Sequence, residues 1–265
     1  MMEKLLWKNF PVLTLDRISK IYANSTVAVK DLNLQVFAGD FVSLVGASGC
    51  GKSTVLQLIS GLEKASSGHI LWDENYCDPM QNKLRDRDLA FVFQEASLMP
   101  WATVADNIYL PLKLAGVPRS RGNLLVREAI DLVGLIGFET CYPRELSGGM
   151  KMRVSIARAL VTQPQILLMD EPFGALDELT REKLNSDILT LWQEKNWTAI
   201  FVTHNIYEAV YLSNRVLVMS SHPGSIFAEI KIPAPYPRDE DFRTSTVFNE
   251  YCRQVSLKLR EAMRS

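Results

Sequence analysis

Residues Gly46-Ala47-Ser48-Gly49-Cys50-Gly51-Lys52-Ser53 follow the spacing G-x-x-x-x-G-K-[ST], which suits the phosphates of a nucleoside triphosphate. Small residues let successive backbone N–H groups converge on one anion. A helix that follows such a loop points its positive end at the same place. Lys52 would neutralise the β- and γ-phosphates, and the Ser53 hydroxyl would sit on Mg²⁺. A second apolar run, Ile166-Leu167-Leu168-Met169, ends in the carboxylates of Asp170 and Glu171. Asp170, at the carboxyl edge of a strand, has the hard oxygen ligand that reaches Mg²⁺ directly or through water. Glu171 would face the γ-phosphate and orient or deprotonate an attacking water, a contribution of roughly 10² to 10⁴ in rate. Leu146-Ser147-Gly148-Gly149, just ahead of the helical run Met150 to Leu160, is a further nest of backbone N–H groups and a hydroxyl suited to phosphate.

These groups need rigid elements to hold them. Asp40-Phe41-Val42-Ser43-Leu44-Val45 reads as a strand buried on both faces, ending at Gly46. Val55, Leu58, Ile59 and Leu62 then recur at helical spacing, with Gly61 as a C-terminal cap. Further buried parallel strands are expected at Leu89–Phe93, Ile166–Met169, Ala199–Val202 and Val216–Met219. Helical patterns between several of them point to an α/β layered fold. Val12 to Ile18 and Asp31 to Phe37 alternate instead, as in a small antiparallel sheet, and helical patterns dominate between Pro100 and Gln163. Pro233-Ala234-Pro235-Tyr236-Pro237 suits neither helix interior nor central strand and marks the end of the main domain. Beyond it Val247, Tyr251, Val255, Leu259 and Ala262 fall on one helical face.

The chain as a whole bounds the function. Its 265 residues are enough for a full core. Net charge is −1 and the isoelectric point is near 6.3, against the basic footprint of a nucleic-acid binder. Membrane spans and an N-terminal secretion signal are not expected. Cys50, Cys77, Cys141 and Cys252 have no CxxC spacing and read as reduced thiols, and the three histidines are too far apart in sequence for a structural zinc site.

With two phosphate-binding elements in one chain, and the motifs in this order, the sequence resembles the ATP-binding cassette (ABC) ATPases from about Leu13 to Ile230. The resemblance implies a P-loop NTPase (RecA-like) α/β core with an N-terminal antiparallel β subdomain and an inserted helical subdomain. The cassette would span residues 12–235, with the helical insertion at about 95–160, and residues 236–265 would form a tail with one helix and no regulatory domain. Tyr22 matches the aromatic that stacks on adenine. Thr54 completes the nucleotide-binding loop. Gln94 matches the glutamine that touches Mg²⁺ and the attacking water. Ala175-Leu176-Asp177 matches the loop that crosses a dimer interface, and His204 matches the switch histidine on the γ-phosphate. In the family, ATP lies between the Gly loop of one subunit and the equivalent of Ser147-Gly148-Gly149 in the other. The resemblance therefore implies a head-to-tail pair of cassettes, most simply a homodimer, that hydrolyses ATP with Mg²⁺.

Leu98-Met99-Pro100-Trp101, Met150 in place of the usual Gln, Gly174-Ala175-Leu176-Asp177 and Ser221-His222-Pro223-Gly224-Ser225-Ile226 together resemble one importer branch. That branch serves nitrate, sulfonate, taurine and bicarbonate. It implies a separate integral membrane permease, indirectly a solute-binding protein, and a peripheral place on the cytoplasmic face of the membrane. Leu98, Met99 and Trp101 either meet the permease or pack inside the helical subdomain. Lys151 and His222 depart from the branch's usual residues. A cassette acting on nucleic acid would carry coiled coils or a second cassette. A GTPase would read guanine with Asn-Lys-x-Asp, where Asn82-Lys83-Leu84-Arg85 ends in Arg.

Overall fold

The computed structural model describes residues 11–73, 77–78, 83–84, 89–174, 176–221 and 223–264. The expectations placed on the N-terminal ten residues, Asn82, Arg85, Ala175 and His222 lie outside the described residues, as does the Cys77 side chain. The chain forms two compact units: one combines the stretch up to Asp86 with Asn196 onward, and the other runs from Arg87 to Lys195.

In the first unit, β1 (Pro11–Ile21), β2 (Val27–Phe37) and β4 (Ser67–Trp72) form an antiparallel sheet in the order β2-β1-β4. Burial in β1 changes parity, from Leu13 and Leu15 to Ile18, and in β2 it passes from Val29 to Leu32, Leu34 and Val36. A strict period of two would turn half of these side chains to solvent. The register instead shifts between Leu15 and Ile18, and Arg17 and Asp31 adopt φ of +48° and +46°. The bulges re-aim the apolar set onto one face.

The second sheet of this unit places β11 (Ile226–Lys231), β10 (Arg215–Met219), β3 (Phe41–Val45) and β9 (Thr198–Val202) side by side in that order. β10, β3 and β9 are parallel, and β11 is antiparallel to β10. Every residue of β3 and β9 is buried, as a near-continuous apolar run requires. Helix α1 (Lys52–Ile59) follows β3 and buries Val55, Leu56, Leu58 and Ile59. It ends earlier than its sequence pattern suggests: Gly61 takes φ of +75° and Leu62 lies exposed past the cap.

The second unit holds β7 (Leu89–Val92) and β8 (Ile166–Asp170), paired in parallel. It also holds helices α2 (Val104–Leu114), α3 (Arg119–Leu132), α4 (Gly148–Leu160) and α5 (Glu178–Lys195). Two short strands, β5 (Cys77–Asp78) and β6 (Lys83–Leu84), pair in the first unit.

The C-terminal tail carries two helices where one was expected. Asp239 caps α7 (Glu240–Thr244), and Ser245, in extended backbone, breaks it and caps α8 (Thr246–Ala262). α8 buries Phe248, Cys252, Val255 and Ala262, so its inner face is rotated by about one residue from the expected Val247–Tyr251 stripe, and Val247 is exposed. The aromatic ring of Phe248 chooses that side by packing against Phe242 and Tyr207. Arg238, just before α7, is buried and donates to the carbonyls of Val210, Tyr211 and Ser213 at the end of α6 (Ile206–Leu212), and to those of Ile232 and Ala234.

Candidate nucleotide site

In the first unit, parallel pairing sets the edge that carries the Gly loop. β3 aligns Leu44 with Val202 of β9 and with Leu217 of β10. The three strands therefore release their chains at one edge: the Gly loop after Val45, Thr203 and His204 after β9, and Ser220 after β10. Ligands in α/β sheets bind at such carboxyl ends.

Within the loop, glycine is needed for two different reasons. A Cβ on Gly46 would lie 2.6 Å from Cys50 Sγ and 3.2 Å from the Met219 carbonyl. Gly51 has φ of +99° and would bring a Cβ to 2.7 Å from the Ala28 carbonyl. Lys52 is buried, and its ammonium donates to the loop's own carbonyls, Gly46 at 3.0 Å and Ala47 at 2.9 Å. Among the described residues no carboxylate pairs with it. A buried cation held only by dipoles fits an anion at the loop's mouth. Ser48, Gly49 and Ser53 are exposed there, while Cys50 and Thr54 are buried. Burial pushes the Cys50 thiol up from its ordinary range, against the opposing charge of Lys52.

Tyr22 lies just past β1, and its hydroxyl is 3.2 Å from Thr54 Oγ1 on α1. The Lys20 ammonium sits 5.0 Å from the ring centroid and pairs with Glu63 at 2.6 Å. The ring is thus fixed in place beside the helix that leaves the Gly loop.

His204 is exposed between buried Thr203 and the cap of α6. Thr203 Oγ1 donates to buried Glu208 at 2.5 Å and accepts the Asn205 amide at 3.0 Å. Asn205 Oδ1 in turn accepts from Tyr207 and Glu208 amides. Both neighbours of the histidine are therefore anchored, and its own backbone has little freedom.

The remaining candidate residues lie in the second unit. β7 pairs Val92 with Met169 of β8, so Gln94 and the Asp170–Glu171 pair emerge at one edge of that strand pair. β7 ends at Val92, one residue short of the sequence expectation. Phe93 is exposed and its ring lies 4.3 Å from that of Phe91. Asp170 and Glu171 are half-buried, and Gln94 is exposed. Glu171 has φ of +45°, a conformation uncommon for a non-glycine residue, and its carbonyl accepts the Gly174 amide at 3.1 Å. Strain of this kind at a strand end aims a side chain away from the strand direction.

Ser147 caps α4, its hydroxyl accepting the Met150 amide at 3.2 Å. Gly148 has open space around it, whereas a Cβ on Gly149 would lie 2.9 Å from Thr180. Ser147 and Gly148 are exposed at this helix N-terminus and Gly149 is half-buried. Asp177, also exposed, accepts the Thr180 amide at 3.0 Å, which holds its carboxyl below the ordinary range.

In the sequence, Gly224 stands out only within the run Ser221–Ile226 that resembles the importer branch. A Cβ there would run into the Cys50 carbonyl and come within 2.9 Å of the Ala28 carbonyl. Gly224 and Ala28–Lys30 also exchange backbone hydrogen bonds, Gly224 N to Ala28 O at 3.1 Å and Lys30 N to Gly224 O at 3.0 Å. The turn after β10 is thus the back wall of the Gly loop. No local spacing signals the partnership of Thr203 and Glu208 either.

A buried strand, a glycine loop whose lysine is held over it, and a helix springing from that loop define a phosphate-loop nucleotide-binding α/β protein. The family follows from the comparisons. The chain belongs to the ABC transporter family, whose model matches residues 29–174, as its ATP-binding and ATP-hydrolysing subunit. It is 44% identical over 247 residues to the aliphatic sulfonates import ATP-binding protein SsuB of Bacillus cereus, covering 92% of this chain and 94% of that one. It is 41% identical over 256 residues to the nitrate import ATP-binding protein NrtD of a Synechocystis species, covering 94% of each. Among solved structures it is similar to the ATP-binding cassette MJ0796 in a dimeric post-hydrolysis state bound to ADP and Pi, with TM-score 0.73, 33% identity, and coverage of 84% of this chain and 100% of that one.

Proposed function

We propose that this chain is the ATPase subunit of an importer for a small anionic solute of the nitrate, sulfonate, taurine or bicarbonate type. The Lys52 ammonium, buried at the Gly loop and neutralised by no carboxylate among the described residues, carries the reading. The Gly46–Ser53 loop with Thr54 holds the phosphates, and Tyr22 stacks on adenine. Two copies associate head to tail, and Ser147, Gly148 and Gly149 of one copy close over the nucleotide held by the other, a closed two-fold arrangement.

Ser53, Gln94 and Asp170 are the residues that would hold Mg²⁺, which supplies shielding of charge on the β- and γ-phosphates. Glu171 orients the attacking water and accepts its proton. The water oxygen bonds to the γ-phosphorus as the bond to the β-phosphate oxygen breaks, giving ADP and phosphate. His204 donates to the γ-phosphate and Gln94 steadies the water, so the protein's share is positioning and charge stabilisation.

Among the described residues no helix is long and apolar enough to cross a membrane, so transport needs a separate permease, and a solute-binding protein to deliver solute to it. Trp101 is 76% exposed, and with half-buried Leu98 and Met99 it offers the permease an apolar contact on the cytoplasmic face. Glu171→Gln tests the scheme: turnover stops and an ATP-bound dimer elutes early on gel filtration. Normal turnover in that variant removes Glu171 from its role. Wild-type chain co-purifies with an integral membrane protein, and stable binding to nucleic acid instead would overturn the importer.

A further inference from the structure

The loop from Gln94 to Thr103 joins the exposed glutamine at the end of β7 to the exposed Trp101. It contains no helix or strand, yet its backbone is held at two places. Arg158, near the end of α4, donates from Nη1 to the Ser97 carbonyl and from Nη2 to the Ala96 carbonyl, each at 2.9 Å. Among the described residues the guanidinium pairs with no carboxylate, so its planar fork is given wholly to these two carbonyls. Ser97 has φ of +44°, a conformation that an L residue keeps only under restraint. Two residues after Ser97, the Met99 amide donates to Oδ1 of fully buried Asn107 of α2 at 2.8 Å. Its Nδ2 donates to the carbonyls of Met99, Ala102 and Thr103 at 3.2, 3.0 and 3.0 Å. The Met99 and Thr103 carbonyls also accept the Ala102 and Asn107 backbone amides, so the two Nδ2 hydrogens are shared among three carbonyls, and the Asn107 side chain supplies partners for the Met99 amide and the Ala102 carbonyl.

We infer that Arg158 and Asn107 are positioning residues that turn Gln94–Thr103 into a stiff strut, so that the state of Gln94 and the position of Trp101 change together. Arg158 lies on the helix whose other end is capped by Ser147, so the strut is tied to that nest as well. This rests on the proposed nucleotide role of Gln94. Without the two anchors the loop would move at either end independently, and a push at the apolar surface would be lost in the slack.

The test uses the full chain labelled with 5-fluorotryptophan, its five tryptophans giving separate fluorine resonances and Trp101 assigned by Trp101→Phe. The probe is an imido analogue of ATP with Mg²⁺, its affinity measured separately by calorimetric titration. In the wild type the analogue moves the Trp101 resonance. In Arg158→Gln and Asn107→Ala the movement falls at least about fivefold while affinity stays within about threefold. Arg158→Lys, which keeps the charge and the stem but reaches one carbonyl, gives an intermediate response and guards against simple unfolding. A Trp101 resonance that ignores the bound analogue in the wild type, or that responds equally in the variants, overturns the strut. Failure of the analogue to bind at all overturns the nucleotide role instead, and the titration tells the two apart.

Discussion

Gly224 abuts the backbone carbonyl of Cys50, with no room for a methyl group between them. A turn about 170 residues further along the chain than the phosphate loop therefore sets how far back that loop can lie. The fit is backbone on backbone, so no side-chain rotation relieves it.

Gly224→Ala is expected to displace the loop or the turn. Overpacking of this kind costs about 1–3 kcal/mol. If the loop yields, ATP binding weakens about tenfold, equivalent to about 1.4 kcal/mol. Calorimetric titration with ATP measures it, and an unchanged dissociation constant with an unchanged melting temperature would refute the back-wall role.

Thr203→Val keeps volume but leaves buried Glu208 without its hydroxyl donor and the Asn205 amide without its acceptor. Losing such buried partners costs about 1–3 kcal/mol. The backbone on both sides of His204 loosens, so kcat is expected to fall about tenfold with little change in ATP affinity. Thr203→Ser retains the hydroxyl and should recover most of the rate. A Val variant that hydrolyses ATP normally would show that His204 needs no such bracing.

Acid stability should depend on Glu229. A bidentate hydrogen bond from Arg215 (2.8 and 3.1 Å) holds its carboxyl below the ordinary value of 4.5, with the charges of Arg215 and Lys231 acting in the same sense. The folded value is the lower one, so this stability is present above about 4.5 and is lost as pH falls through the depressed value. The Glu229 side chain is 34% exposed, and solvent screening limits the effect to about 1 kcal/mol. Thermal melts between pH 7 and pH 3 should show a shallower acid limb in Glu229→Gln. Identical limbs would mean that the pair does not survive in solution.

Much of the fold and of the candidate site is legible in the sequence because the signals are local. Spacing marks the Gly loop, Lys52, Asp170, Glu171 and Ser147 as the residues proposed to meet nucleotide, since phosphate cradles are built from consecutive amides. Apolar runs marked β3, β8, β9 and β10, since strands buried on both faces cannot hide their composition. Local patterns failed where a side chain's partner is distant. Phe248 rather than Val247 faces inward on α8 because Phe242 and Tyr207 receive it, and Leu62 falls outside α1 because Gly61 turns left-handed first.

The sequence alone determined where the Gly loop, the Asp170–Glu171 pair and the Ser147 nest fall, and with them the chemistry proposed for this chain. Tertiary structure decided how those groups are held. Parallel pairing brings the Gly loop and His204 to one edge. Gly224 backs Cys50, and Arg158 and Asn107 satisfy a loop that has no ladder of its own. Such contacts join residues far apart in the chain, and buried backbone must find its partners wherever the packed fold supplies them.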